Sequence, residues 1–345
     1  MGYSDKRSTT LVTGALLLAA TMLNARSVQA HHSTAMFDDH RTVTVRGAVT
    51  RYEWANPHVY IYLLEQTDQG TVQWEIEGSP PSILHRLGWS SDTLHAGDTI
   101  TVIGMPARDP ARKSLRPISI KDGEITLFDR NGEEARLASA GAAPPIAAKS
   151  VFGVWLTLLA PDVEGRLDGD KLALTAAGAA AYKHFDEKTM HPGANCIANS
   201  APTFMITPDL KRVTEDNGVI VIEGEFDGAQ RTIHMNTVTH EGAPASIQGH
   251  SIGRWDGNSL VIDTTEFAHH AMGNAYGVPS GPRKHLIERL TPNADGTRLT
   301  YHFELTDPEF LATPVAGDVE WVFRPDLSYA PPKCNLDDAR RFIRG

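Results

Sequence analysis

The sequence lacks the motifs that identify the commonest zinc proteases and nucleotide-binding enzymes. Its 345 residues contain no His-Glu-x-x-His helix, no P-loop and no dinucleotide-binding fingerprint. It also has no apolar run beyond residue 23 that is long enough to cross a membrane as a helix. The chemistry therefore has to be inferred from composition and local patterns.

Positive charge is also scarce, since the formal net charge is −10. Residues 1–30 have the pattern of a secretory signal: Lys6 and Arg7 precede an apolar run over 11–23, and Val28-Gln29-Ala30 resembles a signal-peptidase site. Cleavage there would leave His31 first. We expect a soluble protein in the periplasm or outside the cell, with no membrane insertion after signal removal.

The excess of acidic over basic residues in the exported chain limits the partners that it can bind. Signal removal takes away three cations and one anion, Lys6, Arg7, Arg26 and Asp5, and the net charge moves from −10 to −12. Such a charge argues against nucleic acid and anionic membrane surfaces as partners.

Cysteine is nearly absent, with only Cys196 and Cys334 in the chain. In an oxidising compartment the leading interpretation is a disulfide between them. Two buried free thiols are the alternative. A two-cysteine metal site is disfavoured because neither residue belongs to a Cys-x-x-Cys pair.

Turn and strand signals divide the mature chain into a first domain over 31–140, an Ala/Pro-rich linker over 141–149 and a second domain over 150–345. In the first, strands are predicted over 42–54, 58–65, 71–77, 99–105 and 117–121. A helix should begin at Ser79-Pro80, with Ser79 as its cap, and end at Gly88. Three strands, one helix and two strands is the element order of an OB-like barrel.

The second domain is organised around a hairpin whose turn is Asp256-Gly257-Asn258, with Gly257 expected at positive φ. A short helix is predicted over 175–185, capped by Thr175. The predicted strands span 219–225, 231–236, 249–255, 259–265, 285–290, 298–305 and 318–324. Seven or eight antiparallel strands joined by short turns predict a mainly β fold with a lipocalin-like barrel; an open sandwich is the runner-up.

Three segments of the N-terminal half carry a family resemblance. His31-His32-Ser33, residues 51–58 (RYEWANPH) and residues 104–108 (GMPAR) resemble domain-of-unknown-function family 6152, a family of exported bacterial proteins. The C-terminal half is similar to uncharacterised secreted proteins of proteobacteria through residues 249–264 and 285–289. Neither resemblance implies an established activity.

The new N-terminus is the sharpest chemical feature. An N-terminal histidine offers its α-amino nitrogen and ring Nδ1 to one metal, and a second histidine would complete a three-nitrogen histidine brace, which suits copper. His58 is the preferred partner of His31, with His32 and His40 as alternatives. The competing interpretation is a solvated chain end without metal.

A second cluster of charged side chains lies on the predicted strands of the second domain. Its members are Glu223, Glu225, Arg231, His234, His250, Arg254, Asp263, His285, Glu288, Arg289, His302 and Glu304. If the face bearing His250, Arg254, Asp263, His302 and Glu304 turns inward, these five residues are candidates for acid–base catalysis. If it turns outward, they are ordinary solvated pairs.

Four aromatic residues could either fill the second barrel or line a cavity in it. They are Trp255, Trp321, Tyr301 and Phe303. Two hypotheses follow: an exported protein that binds copper at its N-terminus and a small apolar molecule in the barrel, or a periplasmic enzyme that acts on that molecule. A further pair, His269-His270, could bind metal or belong to a surface loop.

Overall fold

The computed structural model describes residues 37–38, 40–55, 58–130, 146–158, 163, 167, 169–331 and 333–340. The predicted signal peptide, His31, His32 and most of the predicted linker lie outside these ranges. Within them, no helix is long and apolar enough to cross a membrane.

The first barrel confirms the OB-like prediction. Its strands are β1 (Val43–Glu53), β2 (Tyr60–Thr67), β3 (Gly70–Glu77), β4 (Thr99–Pro106), β5 (Ser114–Asp122) and β6 (Ile125–Asp129). The sheet order is β3-β2-β1-β4-β5-β6, and a parallel pairing of β3 with β5 closes the first five strands into a barrel. Strand β6, a short addition at the edge of β5, was not predicted.

The helix between β3 and β4 begins one residue later than predicted. It spans Pro81–Arg86, with Pro80 as the N-cap residue and no side-chain cap bond. The prediction that Ser79 caps this helix is wrong because the Ser79 carbonyl instead accepts the Val59 backbone N–H at 3.3 Å, which keeps Ser79 in the extended chain. The predicted stop is confirmed, since Gly88 follows the C-cap residue Leu87 at φ +89°.

The second barrel is closed and contains nine strands. They are β7 (Gly153–Thr157), β8 (Leu210–Asp216), β9 (Val219–Gly224), β10 (Gln230–His234), β11 (His250–Asp256), β12 (Ser259–Thr265), β13 (His285–Pro292), β14 (Arg298–Thr306) and β15 (Val315–Phe323). The predicted barrel is confirmed, although β7 and β8 were missed. Its core includes Trp155, Trp321, Tyr301 and Phe303, all with 0% exposure.

The nine strands follow one another around the barrel, and the odd number has a geometric consequence. Strand direction cannot alternate all the way around a ring with an odd number of members, so one neighbouring pair must be parallel. That pair is β10 and β11, joined by residues 235–249. It has only two residue pairs in register, Ile233 with Ser251 and His234 with Ile252.

The β11–β12 hairpin has the predicted turn. Asp256 pairs with Ser259, and Gly257 between them has φ +62°. This is the position at which type II′ turns place glycine, because only glycine enters that region without strain. The predicted turn, around which the second domain was expected to be organised, is thus confirmed.

Short helices lie outside the second barrel, and a disulfide fixes the last one. They span Ala176–His184, Glu187–Met190, Pro192–Asn195, which is a 3₁₀ helix, Thr203–Ile206 and Leu336–Ala339. Thr175 caps the first of them as predicted, accepting the Gly178 N–H at 3.0 Å. Cys196 and Cys334 form the predicted disulfide, with Cα atoms 5.8 Å apart.

An ion pair joins the two barrels. Arg86, at the end of the first-barrel helix, contacts Glu225, which follows β9, at 2.5 Å. The Arg86 and Glu225 side chains are only 11% and 3% exposed. Removing one partner would therefore leave the other charge buried without its counter-ion.

Candidate functional site

The five predicted catalytic residues lie on the outer face of the second barrel. They are His250, Arg254, Asp263, His302 and Glu304. Of the two orientations left open by the sequence, the outward one is observed, because the interior positions of β11 belong to Ser251 and Gly253. A Cβ at Gly253 would collide with Met235 and Ile233, so the larger side chains of β11 point outward. Their catalytic role stays a prediction.

Two of these candidates, His302 and Glu304, belong to a group of charged side chains on the surface, and Arg254 is not part of it. His302 Nδ1 is 2.9 Å from Asp318 Oδ1, and its Nε2 is 3.5 Å from Glu304 Oε1. All three side chains are at least 36% exposed. Arg254 is also exposed. Exposed pairs of this kind contribute little to stability.

The interior of the second barrel does contain a polar cluster, built around Arg231 and Glu288. The Arg231 guanidinium donates to both carboxylate oxygens of Glu288, at 2.7 and 2.5 Å. It also donates to Ser251 Oγ at 3.1 Å and Thr264 Oγ1 at 2.6 Å, while the Tyr301 hydroxyl donates to Glu288 at 2.7 Å. Every one of these residues is at most 1% exposed.

Hydrogen bonds reach every charged atom of this interior cluster. Each guanidinium nitrogen has a partner, and both carboxylate oxygens accept at least one bond. Burial and the Glu288 charge raise the pKa of the Tyr301 phenol well above its usual range. The bidentate pair and its partners link five strands, β10 to β14, from inside the second barrel.

The aromatic side chains of the second domain mostly fill its core. Trp321, Tyr301 and Phe303 stack on one another, with ring centroids about 6 Å apart, and all are fully buried. Trp255 is 43% exposed and packs edge-on against Phe152. A small apolar ligand in this barrel stays a prediction.

A group of four histidines and one carboxylate, here called the histidine cluster, lies outside the barrel across β10–β13. His240 Nδ1 is 2.9 Å from His250 Nδ1, and His240 Nε2 is 3.3 Å from Asp263 Oδ1. His285 Nε2 is 3.0 Å from the same Asp263 oxygen. The His234 ring stacks on His250, with centroids 4.8 Å apart and planes 22° from parallel.

Register brings the strand residues of this cluster together. Ile252 pairs with His234 on one side and with Asp263 on the other, and His250 lies at the start of the same strand. Burial, followed by the neighbouring His234 and His240, lowers the pKa of His250. Sequence reasoning found four of the five members but missed His240, because it lies in the irregular connection 235–249 and shares no strand periodicity.

His58 is the one predicted copper ligand within the described residues. Its Nδ1 lies 3.0 Å from the Gly78 carbonyl oxygen, and its Nε2 lies 3.8 Å from Glu77 Oε1. A carbonyl can only accept, so Nδ1 carries a proton, and in the neutral ring the lone pair is on Nε2. The His58 side chain is 22% exposed, whereas Glu77 is 7% exposed. His40, an alternative ligand, is exposed.

The segment before β13 buries titratable groups of another kind. His270 Nδ1 accepts the Met272 N–H, and its Nε2–H donates to Ala198 O, both at 3.1 Å. Burial, together with the nearby Lys284 cation, lowers the pKa of His270 to about 4. Lys284 donates to the carbonyls of Ala201 and Gly273, and burial lowers its pKa to about 7. His270 is thus a neutral histidine with a structural role. The exposed His269 donates to the Ser280 carbonyl.

An open groove of about 650 Å³ lies on the first barrel, on the β2–β3 face and β4–β5 loop that OB barrels use for ligands. Its rings are covered by cations: Arg51 lies 4.0 Å from the Tyr62 centroid and Lys113 lies 5.8 Å from the Trp74 centroid. Arg51 is also paired with Glu53. The cations of this groove therefore already have partners. The groove itself was not predicted from the sequence.

Among the described residues, no set of three or more His, Cys, Asp or Glu side chains converges as the ligands of a metal ion.

In the comparison with protein families, residues 19–116 match the model of a family of unknown function, DUF6152. This confirms the resemblance of the N-terminal half. The resemblance of the C-terminal half stays a prediction. No curated protein matches the chain.

Among solved structures, that of yeast Stn1 and Ten1 is 14% identical, with a TM-score of 0.18, over 29% of this chain. This chain spans 49% of the length of that one.

Proposed function

We propose that this is an exported copper-binding protein whose site joins His58 of the first barrel to the mature N-terminal His31. The observation that carries the proposal is the His58 ring. Its Nδ1–H is held by the Gly78 carbonyl, so the lone pair on Nε2 is directed away from that bond. A backbone acceptor on one ring nitrogen is the usual support for a histidine that ligates through the other.

The chemistry of the donors fits copper. An α-amino nitrogen and two imidazoles form a nitrogen set, for which Cu²⁺ has the highest affinity among divalent first-row metals. The Glu77 carboxylate near His58 would partly neutralise the charge of the ion. The signal-peptidase pattern before His31 and the Cys196–Cys334 disulfide support export, in which a free N-terminal histidine is produced.

The test compares mature protein that begins at His31 with protein that carries one glycine ahead of it. The native terminus should bind one Cu²⁺ tightly, with three-nitrogen hyperfine structure in the EPR spectrum, and the extended protein should lose that signal. Affinity should fall at low pH because the amine and imidazoles must be deprotonated. Equal binding by the two proteins would refute the proposal.

Point variants identify the second imidazole. His58→Ala should remove one nitrogen from the spectrum, whereas His95→Ala should not, because His95 is a 70% exposed histidine beside Asp98 elsewhere in the same barrel. A spectrum changed by His32→Ala or His40→Ala instead would assign the ligand to one of those alternatives.

A further inference from the structure

The histidine cluster contains a pair of ring nitrogens that the copper proposal does not use. His240 Nδ1 and His250 Nδ1 are 2.9 Å apart. Two metal–nitrogen bonds of about 2.05 Å would place two ligand nitrogens about 2.9 Å apart at the roughly 90° angle of square-planar or octahedral sites and about 3.3 Å apart at a tetrahedral angle. In the metal-free protein the same separation corresponds to a hydrogen bond between the two rings.

Asp263 provides the second observation. Its carboxylate lies 3.3 Å from His240 Nε2, and a carboxylate at neutral pH only accepts hydrogen bonds. In the His240 tautomer with its proton on Nε2, that proton is near the carboxylate and the lone pair on Nδ1 faces His250. A carboxylate beside the outer N–H of a histidine is the usual support of a metal-ligating ring.

The surroundings hold the His250 ring in place. The His234 ring stacks on it, with centroids 4.8 Å apart. The charged and titratable groups that face this pair are His234, Asp263, Glu266 and His285. The His240 side chain is 21% exposed, so an ion can reach the pair.

We propose that His240 and His250 together bind one divalent transition-metal ion, with Asp263 as the residue that orients His240. Only two protein ligands take part, which agrees with the absence of a three-ligand group among the described residues, and water completes the coordination. The ion would tie the connection 235–249 to β11, beside the parallel pair with only two residue pairs in register. The site is independent of the N-terminus.

The experiment uses full-length mature protein with one glycine ahead of His31, in which the copper proposal predicts no N-terminal site, and Zn²⁺ as the probe. Titration at pH 7.5 should give one bound ion and a raised melting temperature. His240→Ala and His250→Ala should each weaken binding at least tenfold, and Asp263→Asn by 10- to 100-fold. His302→Ala is the control, since His302 is another outer-face histidine beside carboxylates.

Long-range ¹H–¹⁵N spectra of the unmutated protein provide a readout that does not depend on any variant. Before metal, His240 should show the Nε2–H tautomer, and Zn²⁺ should shift the Nδ1 signals of His240 and His250. The proposal is overturned if Zn²⁺ leaves both signals in place, or if His302→Ala weakens binding as much as His240→Ala. Because the extended chain is used throughout, failure here is distinguishable from failure of the copper proposal.

Discussion

Acid should weaken the fold through His270, and one substitution should remove the effect. His270 is 3% exposed, with its Nδ1 bonded to the Met272 N–H, so protonation requires that bond to break. Its folded pKa of about 4 lies below the ordinary value, so the unfolded chain binds more protons as pH falls below about 6.5. Stability conferred by neutral His270 is therefore present above pH 6.5 and lost progressively down to pH 4.

The magnitude follows from the two pKa values. Linkage gives a loss of about 2 kcal/mol in the free energy of unfolding between pH 7.5 and pH 5, and about 3 kcal/mol by the time pH is below 4. His270→Gln offers the same acceptor and donor without a titrating ring, so the pH dependence should become shallower by that amount. His95→Gln, at a 70% exposed site, is the matched control.

The assay is urea unfolding at pH 7.5, 6 and 5, followed by tryptophan fluorescence and far-UV circular dichroism, whose transitions should coincide. If His270→Gln loses as much stability on acidification as the unmutated protein, the histidine is not held neutral in the fold and the reasoning fails.

Two further predictions concern the backbone and the disulfide. Gly257→Val should lower the unfolding free energy by about 1–3 kcal/mol through backbone strain alone, since a Cβ there meets no atom within 4 Å. Gly257→Asn should lower the unfolding free energy by less than Gly257→Val, and the melting temperatures of the two variants test this order. Replacing Cys196 and Cys334 with serine should cost about 5 kcal/mol in the chain-entropy model for a separation of 138 residues. Thiol titration of the denatured, unreduced parent protein should find no free thiol.

Local signals in the sequence predicted most of the fold. The turn at Gly257, the Thr175 cap and the stop at Gly88 each depend on a few adjacent residues, so they could be found without tertiary information. Strand β8 was missed because Lys211 is buried beside Asp209, which breaks the alternation of apolar and polar residues. A buried charge of this kind is intelligible only once its partner is known.

The candidate sites were less predictable for a related reason. Period two shows which residues share a face of a strand, but it does not show which face points inward. On β11 the inward face is Ser251 and Gly253, since the interior must accommodate Met235, Ile233 and the Arg231 guanidinium, while the apolar Ile252 lies on the other face. The apolar Ile252 therefore does not mark the inward face of this strand.

The parallel β10–β11 pair makes closure of the second barrel depend on a side chain. Only two residue pairs join these strands in register, yet Arg231 on β10 reaches Ser251 on β11, Thr264 on β12 and Glu288 on β13 from the inside. The guanidinium thus links the strands by side-chain hydrogen bonds at the place where the main-chain hydrogen-bond ladder is shortest. A chain that lost it would open along this line and present two unpaired strand edges, the feature by which open sheets recruit further copies of themselves.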